Sequence, residues 1–138
     1  MNFSKMLLGA AALAFLAVPA YAEDLLGGAV KTMDIAGKQV LTDANGMTLY
    51  TFDKDVQGSA SNCYDEGDSK CATNWPPLFA EAGAMAEGEF TIIDRKDGTK
   101  IWAYDGWPLY LWIKDAKPGD TTGDGVGGVW HTAVYSAM

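Results

Sequence analysis

Gly46-Met47-Thr48-Leu49-Tyr50-Thr51-Phe52-Asp53-Lys54-Asp55 decides the reading of this 138-residue chain, because it occurs twice. Sixty residues on stands Gly106-Trp107-Pro108-Leu109-Tyr110-Leu111-Trp112-Ile113-Lys114-Asp115, with Gly, Leu, Tyr, Lys and Asp identical and Trp112 in the place of Phe52. The match runs backwards through Val30–Asp34 against Phe90–Asp94, and Trp75-Pro76 corresponds forwards to Trp130-His131. A period of this size marks a chain built from copies of one supersecondary unit.

Each copy reads as a strand meander. In the second, Phe90–Ile93, Thr99–Tyr104 and Trp107–Ile113 are β-rich, punctuated by Lys96-Asp97-Gly98 and Asp105-Gly106. In the first, Ala29–Met33, Lys38–Thr42 and Met47–Phe52 play the same parts, with turns at Gly37 and Asn45-Gly46. A fourth short strand is expected at Leu78–Phe79 and at Val129–Tyr135, each after a long polar loop, and Ala80–Glu87 reads as the linker. The expected fold is all-β: two tandem repeats, approximately 29–79 and 89–135, in one pseudo-twofold sandwich or partly open barrel of about eight strands. Neither half alone has enough strands to bury its apolar face.

On a strand, residues i and i+2 share a face. Tyr50, Phe52 and Lys54 therefore point one way, as do Tyr110, Trp112 and Lys114, while Leu109, Leu111 and Ile113 line the opposite side. Five residues of strand span about 16 Å, so Tyr50 cannot touch Asp55, nor Tyr110 touch Asp115, while the strand stays extended. Each aspartate is expected instead to accept amide hydrogen bonds from its following loop, near Gly58 or Gly119.

The N-terminus carries a separate message. Lys5 precedes the apolar run Met6–Val18, and Ala20-Tyr21-Ala22 follows. This is the pattern of an export signal with cleavage after Ala22; 13 apolar residues are too few to span a bilayer. Residues 23–138 would then form a single β domain with 9 basic and 18 acidic residues, a net charge of −9. Such acidity argues against nucleic acid and anionic membranes. In the oxidising periplasm, or outside the cell, Cys63 and Cys71 are expected to form a disulfide, since Cys-x7-Cys fits no zinc spacing.

Tyr50, Phe52 and Asp55, with Tyr110, Trp112 and Asp115, fit Tyr-x-aromatic-x-x-Asp. With Trp75-Pro76-Pro77-Leu78 and the Gly119–Val126 loop before Trp130-His131, the chain resembles the bacterial secreted-repeat family, predicted lipoproteins with a Tyr-x4-Asp motif. The resemblance covers nearly all of the chain after the leader and implies the repeat fold, with no activity attached. The lipobox cysteine of that pattern is absent, so membrane anchoring is not expected.

No catalytic set, cofactor motif or metal-ligand set stands out. His131 is the sole histidine, and no Gly-x-Ser-x-Gly elbow or Cys-x-x-Cys is present. Among the many aromatics, Trp102, Tyr104 and Trp107 are the best candidates for an exposed ligand platform. The expectation is a non-enzymatic binding or interaction module, with a cell-envelope protein or glycan as partner. The alternative is a metal-handling or redox-associated accessory protein, and an enzyme comes last.

Overall fold

The computed structural model describes residues 22–136, so the leader expected at 1–22, Ala22 apart, lies outside the described residues. Eight strands form three antiparallel sheets that do not close into a barrel. A short strand, β1 (Asp24–Leu25), precedes the first repeat, which supplies β2 (Val30–Ile35), β3 (Lys38–Asp43) and β4 (Tyr50–Phe52). The second supplies β5 (Phe90–Asp94), β6 (Lys100–Tyr104), β7 (Trp107–Pro108) and β8 (Trp130–Thr132). The sheets are β1-β2-β3, β5-β6-β7 and the two-stranded β4-β8. A four-residue helix, α1 (Cys71–Asn74), interrupts the first long loop.

The turns follow from their residues. Ala36-Gly37 joins β2 to β3 with φ of 53° and 83°, and Asp105-Gly106 joins β6 to β7 with φ of 53° and 84°. Two successive left-handed residues are what a two-residue hairpin needs to match the twist of its strands.

The segments expected as fourth strands are exchanged between the repeats, the one at Leu78–Phe79 pairing through isolated bridges rather than as a regular strand. Residues 76–80 of the first repeat leave their own meander and enter the second: Leu78 N–H donates to Leu109 O at 2.9 Å, and Trp102 N–H donates to Leu78 O at 3.0 Å. The end of the second repeat enters the first in the same way. Ala133 N–H donates to Leu49 O at 2.9 Å and Leu41 N–H to Ala133 O at 2.8 Å, while β8 pairs with β4 in the register Tyr50↔Thr132, Phe52↔Trp130. On the pseudo-twofold axis Tyr50 and Tyr110 exchange both backbone hydrogen bonds, at 2.8 and 2.9 Å.

The alternation of the motif strand sorts its side chains into two cores. Tyr50, Phe52 and Tyr110 join Cys63, Trp75, Ile101 and Trp130 in one cluster. Leu49 and Leu109, pointing the other way, join Val30, Leu41, Phe90, Trp102 and Ala133 in the second. Both clusters draw on both repeats, so neither repeat owns a core.

Candidate functional site

The motif residues meet across the axis. Tyr50 Oη donates to Asp115 Oδ2 at 2.7 Å, and Tyr110 Oη donates to Asp55 Oδ2 at 2.9 Å. Each tyrosine thus finds the aspartate of the other repeat, the one within reach where its own is too far along the strand. The remaining carboxylate oxygens tie down the loops. Asp55 Oδ1 accepts from Asn62 N–H at 2.7 Å, and Asp115 Oδ1 accepts from Thr122 N–H at 2.9 Å and from the Thr122 hydroxyl at 2.6 Å. The expected amide donors are present, but at Asn62 and Thr122 rather than near Gly58 or Gly119. Gly58 and Gly119 have another partner: their N–H groups meet Gly106 O at 2.7 Å and Gly46 O at 3.4 Å, again across repeats.

One half carries a further layer. Arg95, 4% exposed, donates through Nη1 to Ser61 Oγ at 2.7 Å, through Nη2 to Cys63 O at 3.0 Å, and through Nε to Thr99 Oγ1 at 3.1 Å. Its guanidinium lies 4.1 Å from the centre of the Tyr64 ring. The single phenolic proton of Tyr110 goes to Asp55, so Ser61, 2.6 Å from Tyr110 Oη, is the donor of that contact. The hydrogen bonds then run one way, Arg95 to Ser61 to Tyr110 to Asp55. Sequence reasoning missed Arg95. The available signal was that it is the only arginine among the chain's ten basic residues, and Arg is the cation suited to a buried, forked hydrogen-bond site.

Burial is the main cause pushing the Asp55 carboxyl up to about 6, against the opposing pull of the Asn62 amide, the Tyr110 hydroxyl and Arg95. Burial likewise raises both phenols, reinforced by the bond to Asp115 at Tyr50 and by the charge of Asp55 at Tyr110. Both tyrosines are therefore protonated donors at neutral pH.

Around these pairs stands a column of stacked rings in the order Phe52, Trp130, Trp75, Trp112, with centroid separations of 4.2, 3.8 and 3.9 Å. Tyr50 meets Trp75 edge-on at 5.4 Å and Tyr110 meets Trp130 at 5.2 Å. The order is symmetric about the axis: Trp75 and Trp130 occupy the centre, and Phe52 and Trp112 the ends. Gly123 closes the column from the side, since a Cβ there would stand 2.8 Å from Trp75 and 3.0 Å from Trp112.

The three platform candidates do not form one exposed face. Trp102 is only 8% exposed, because its position on β6 points it into the second core. Tyr104 is half-buried against Phe90 and Tyr135, and Trp107, paired with it across the β6–β7 turn, is half-buried too. Trp102 nonetheless lines a groove of about 430 Å³ with Leu26, Leu78, Phe79, Met85, Glu81 and Glu87. Phe79 and Met85 are 54% and 80% exposed. The Ala80–Glu87 linker forms one wall of this groove, a role its sequence did not announce.

Cys63 and Cys71 form the expected disulfide, with Cα atoms 5.3 Å apart. His131 Nε2 lies 2.9 Å from Asp53 Oδ2 on the exposed side of β8. Among the described residues no group of three or more His, Cys, Asp or Glu is placed to hold a metal ion, and no helix is long and apolar enough to cross a membrane.

An all-β protein of two tandem repeats, interlocked through Tyr–Asp pairs and exchanged strands, is the class that this geometry defines. Residues 31–79 and 91–134 each match the family described as a secreted repeat of unknown function, and the chain belongs to that family. No curated protein and no solved structure matches it.

Proposed function

We propose that the chain is a non-enzymatic interaction module of the periplasm, released from its leader after Ala22, whose groove takes an apolar, positively charged peptide segment of a cell-envelope protein. The observation that carries this reading is the groove itself, where Phe79 and Met85 stand largely exposed beside Trp102. Exposed large apolar side chains gathered at a concavity mark interaction sites. Two features give the partner its charge: Glu81 and Glu87 border the groove, and the chain from Glu23 onwards carries a net charge of −9. The motif supports a role outside catalysis, because each Tyr–Asp pair is buried and hydrogen-bonded within the fold.

The test is fluorescence anisotropy with a labelled lysine- and leucine-rich peptide, its glutamate- and leucine-rich counterpart, and soluble peptidoglycan fragments as competitors. The basic peptide should bind, more weakly as salt is raised, and the double variant Phe79→Ser, Met85→Ser should lose it. Both side chains are exposed, so that variant keeps its cores. Binding of the acidic peptide alone, binding unaffected by the double variant, or no binding of either peptide would overturn the reading.

A further inference from the structure

The column of rings is a second, independent feature, and its departure from symmetry points to a use. Three of its four members are tryptophans, and both of its flanking tyrosines donate their phenolic protons to carboxylates. Tryptophan and tyrosine are the side chains most readily oxidised by one electron without bond cleavage, whereas phenylalanine is much harder to oxidise. Phe52 therefore closes one end of the column. At the other end Trp112 is half-buried, so part of its ring meets solvent, leaving one side from which an electron can be withdrawn.

We propose that the column is a redox site, in which a one-electron radical oxidant acting at Trp112 leaves a neutral radical on Tyr50, with Asp115 taking the phenolic proton. The oxidant removes one electron from the Trp112 indole and is reduced. Trp75, stacked on it at 3.9 Å, refills Trp112. Tyr50, edge-on to Trp75 at 5.4 Å, refills Trp75 and in the same step passes its proton along the 2.7 Å hydrogen bond to Asp115 Oδ2. The products are reduced oxidant, intact indoles, a tyrosyl radical and a protonated carboxyl. An oxidised phenol is a very strong acid, so the neutral radical forms readily where a base already accepts the phenol's hydrogen bond, and 2.7 Å lies within the reach such a transfer needs. Tyr50 is preferred over Tyr110 because Tyr110 lies one ring further on, beside the Arg95–Ser61 hydrogen-bond chain, whose positive charge opposes oxidation. Lys114, with its ammonium 5.8 Å from the Trp112 ring, opposes positive charge at the outer ring.

The experiment is flash oxidation of the mature chain by a ruthenium polypyridyl complex with a sacrificial quencher, read by electron paramagnetic resonance. A tyrosyl signal is expected that disappears in Tyr50→Phe and falls by an order of magnitude in Trp112→Phe. The latter copies what the first repeat already has at position 52, so it should fold. Asp115→Asn keeps an acceptor for the hydroxyl but takes no proton, and should slow radical formation by an order of magnitude. Lys114→Gln should raise the yield. A radical located on Tyr64, Tyr104 or Tyr135, or a Tyr50 radical formed equally well in Trp112→Phe, would overturn the proposal.

Discussion

Tyr50 and Asp115 are 65 positions apart in the chain and share a 2.7 Å hydrogen bond, so their energetic coupling distinguishes this fold from any in which each repeat closes on itself. In a double-mutant cycle by chemical denaturation, Tyr50→Phe and Asp115→Ala should couple by about 1–3 kcal/mol, the range for partners in a buried hydrogen bond. Tyr50→Phe with Asp55→Ala should add within roughly 0.5 kcal/mol; equal coupling in both cycles would refute the cross-repeat pairing. Asp55 gives a second prediction. Its carboxyl is raised to about 6 in the fold, above about 3.9 in an unfolded chain, so the folded state holds the proton more tightly. Stability from this group is thus fully present below about pH 4 and is lost as pH rises through about 6. The span of about two pH units corresponds to at most about 3 kcal/mol. Asp55→Asn should flatten the profile in that window, as urea midpoints measured from pH 4 to 7 would show. A wild-type profile that rises with pH there would be the wrong sign.

Among the elements, the meanders were legible and their partners were not. Ala29–Met33, Lys38–Thr42 and Thr99–Tyr104 were readable from β-branched and aromatic residues between glycine turns, and strands form there at Val30–Ile35, Lys38–Asp43 and Lys100–Tyr104. Trp107–Ile113 is expected as one long strand; the regular strand stops at Pro108, because Leu109, whose N–H still donates to Trp102 O, turns its carbonyl to Leu78 of the exchanged segment, and Tyr110 pairs with Tyr50. The exchange itself leaves no local trace. Pro77-Leu78 fits its own repeat and the neighbouring one by the same pattern of apolar residues, and only three-dimensional closure chooses between them. The loop donors were closer to readable: Asn62 and Thr122 each stand seven residues after their aspartate, a repeated spacing that the glycines Gly58 and Gly119 obscured. Exchange also makes a prediction. A protease site placed within residues 81–88 and cut after folding should leave both pieces in one particle on size exclusion, and its unfolding should become concentration-dependent as for any two-chain assembly. Separation of the pieces under native conditions would refute it.

For the whole molecule, the two halves are unequally fastened. The first long loop is tied by the Cys63–Cys71 disulfide and by Arg95, whereas position 123, matching Cys63 at the same offset of 60, is a glycine against the tryptophans. Reduction should therefore loosen one end. Closing a loop this short is worth about 2–3 kcal/mol, so a reductant should lower the melting midpoint by roughly 8–15 °C for a domain of this size. Amides at Asn62–Tyr64 should lose protection from hydrogen exchange before those at Thr122–Asp124; uniform loss would argue that the disulfide acts on the molecule as a whole. The exchanged strands have a consequence for how such chains can grow or shrink. A repeat that lends its last strand and borrows another's is half of a handshake, so copies of it are satisfied in pairs. A chain with an odd number of these units would carry one vacant slot and one homeless strand, and would meet a second such chain with the two complementary halves of a joint already made.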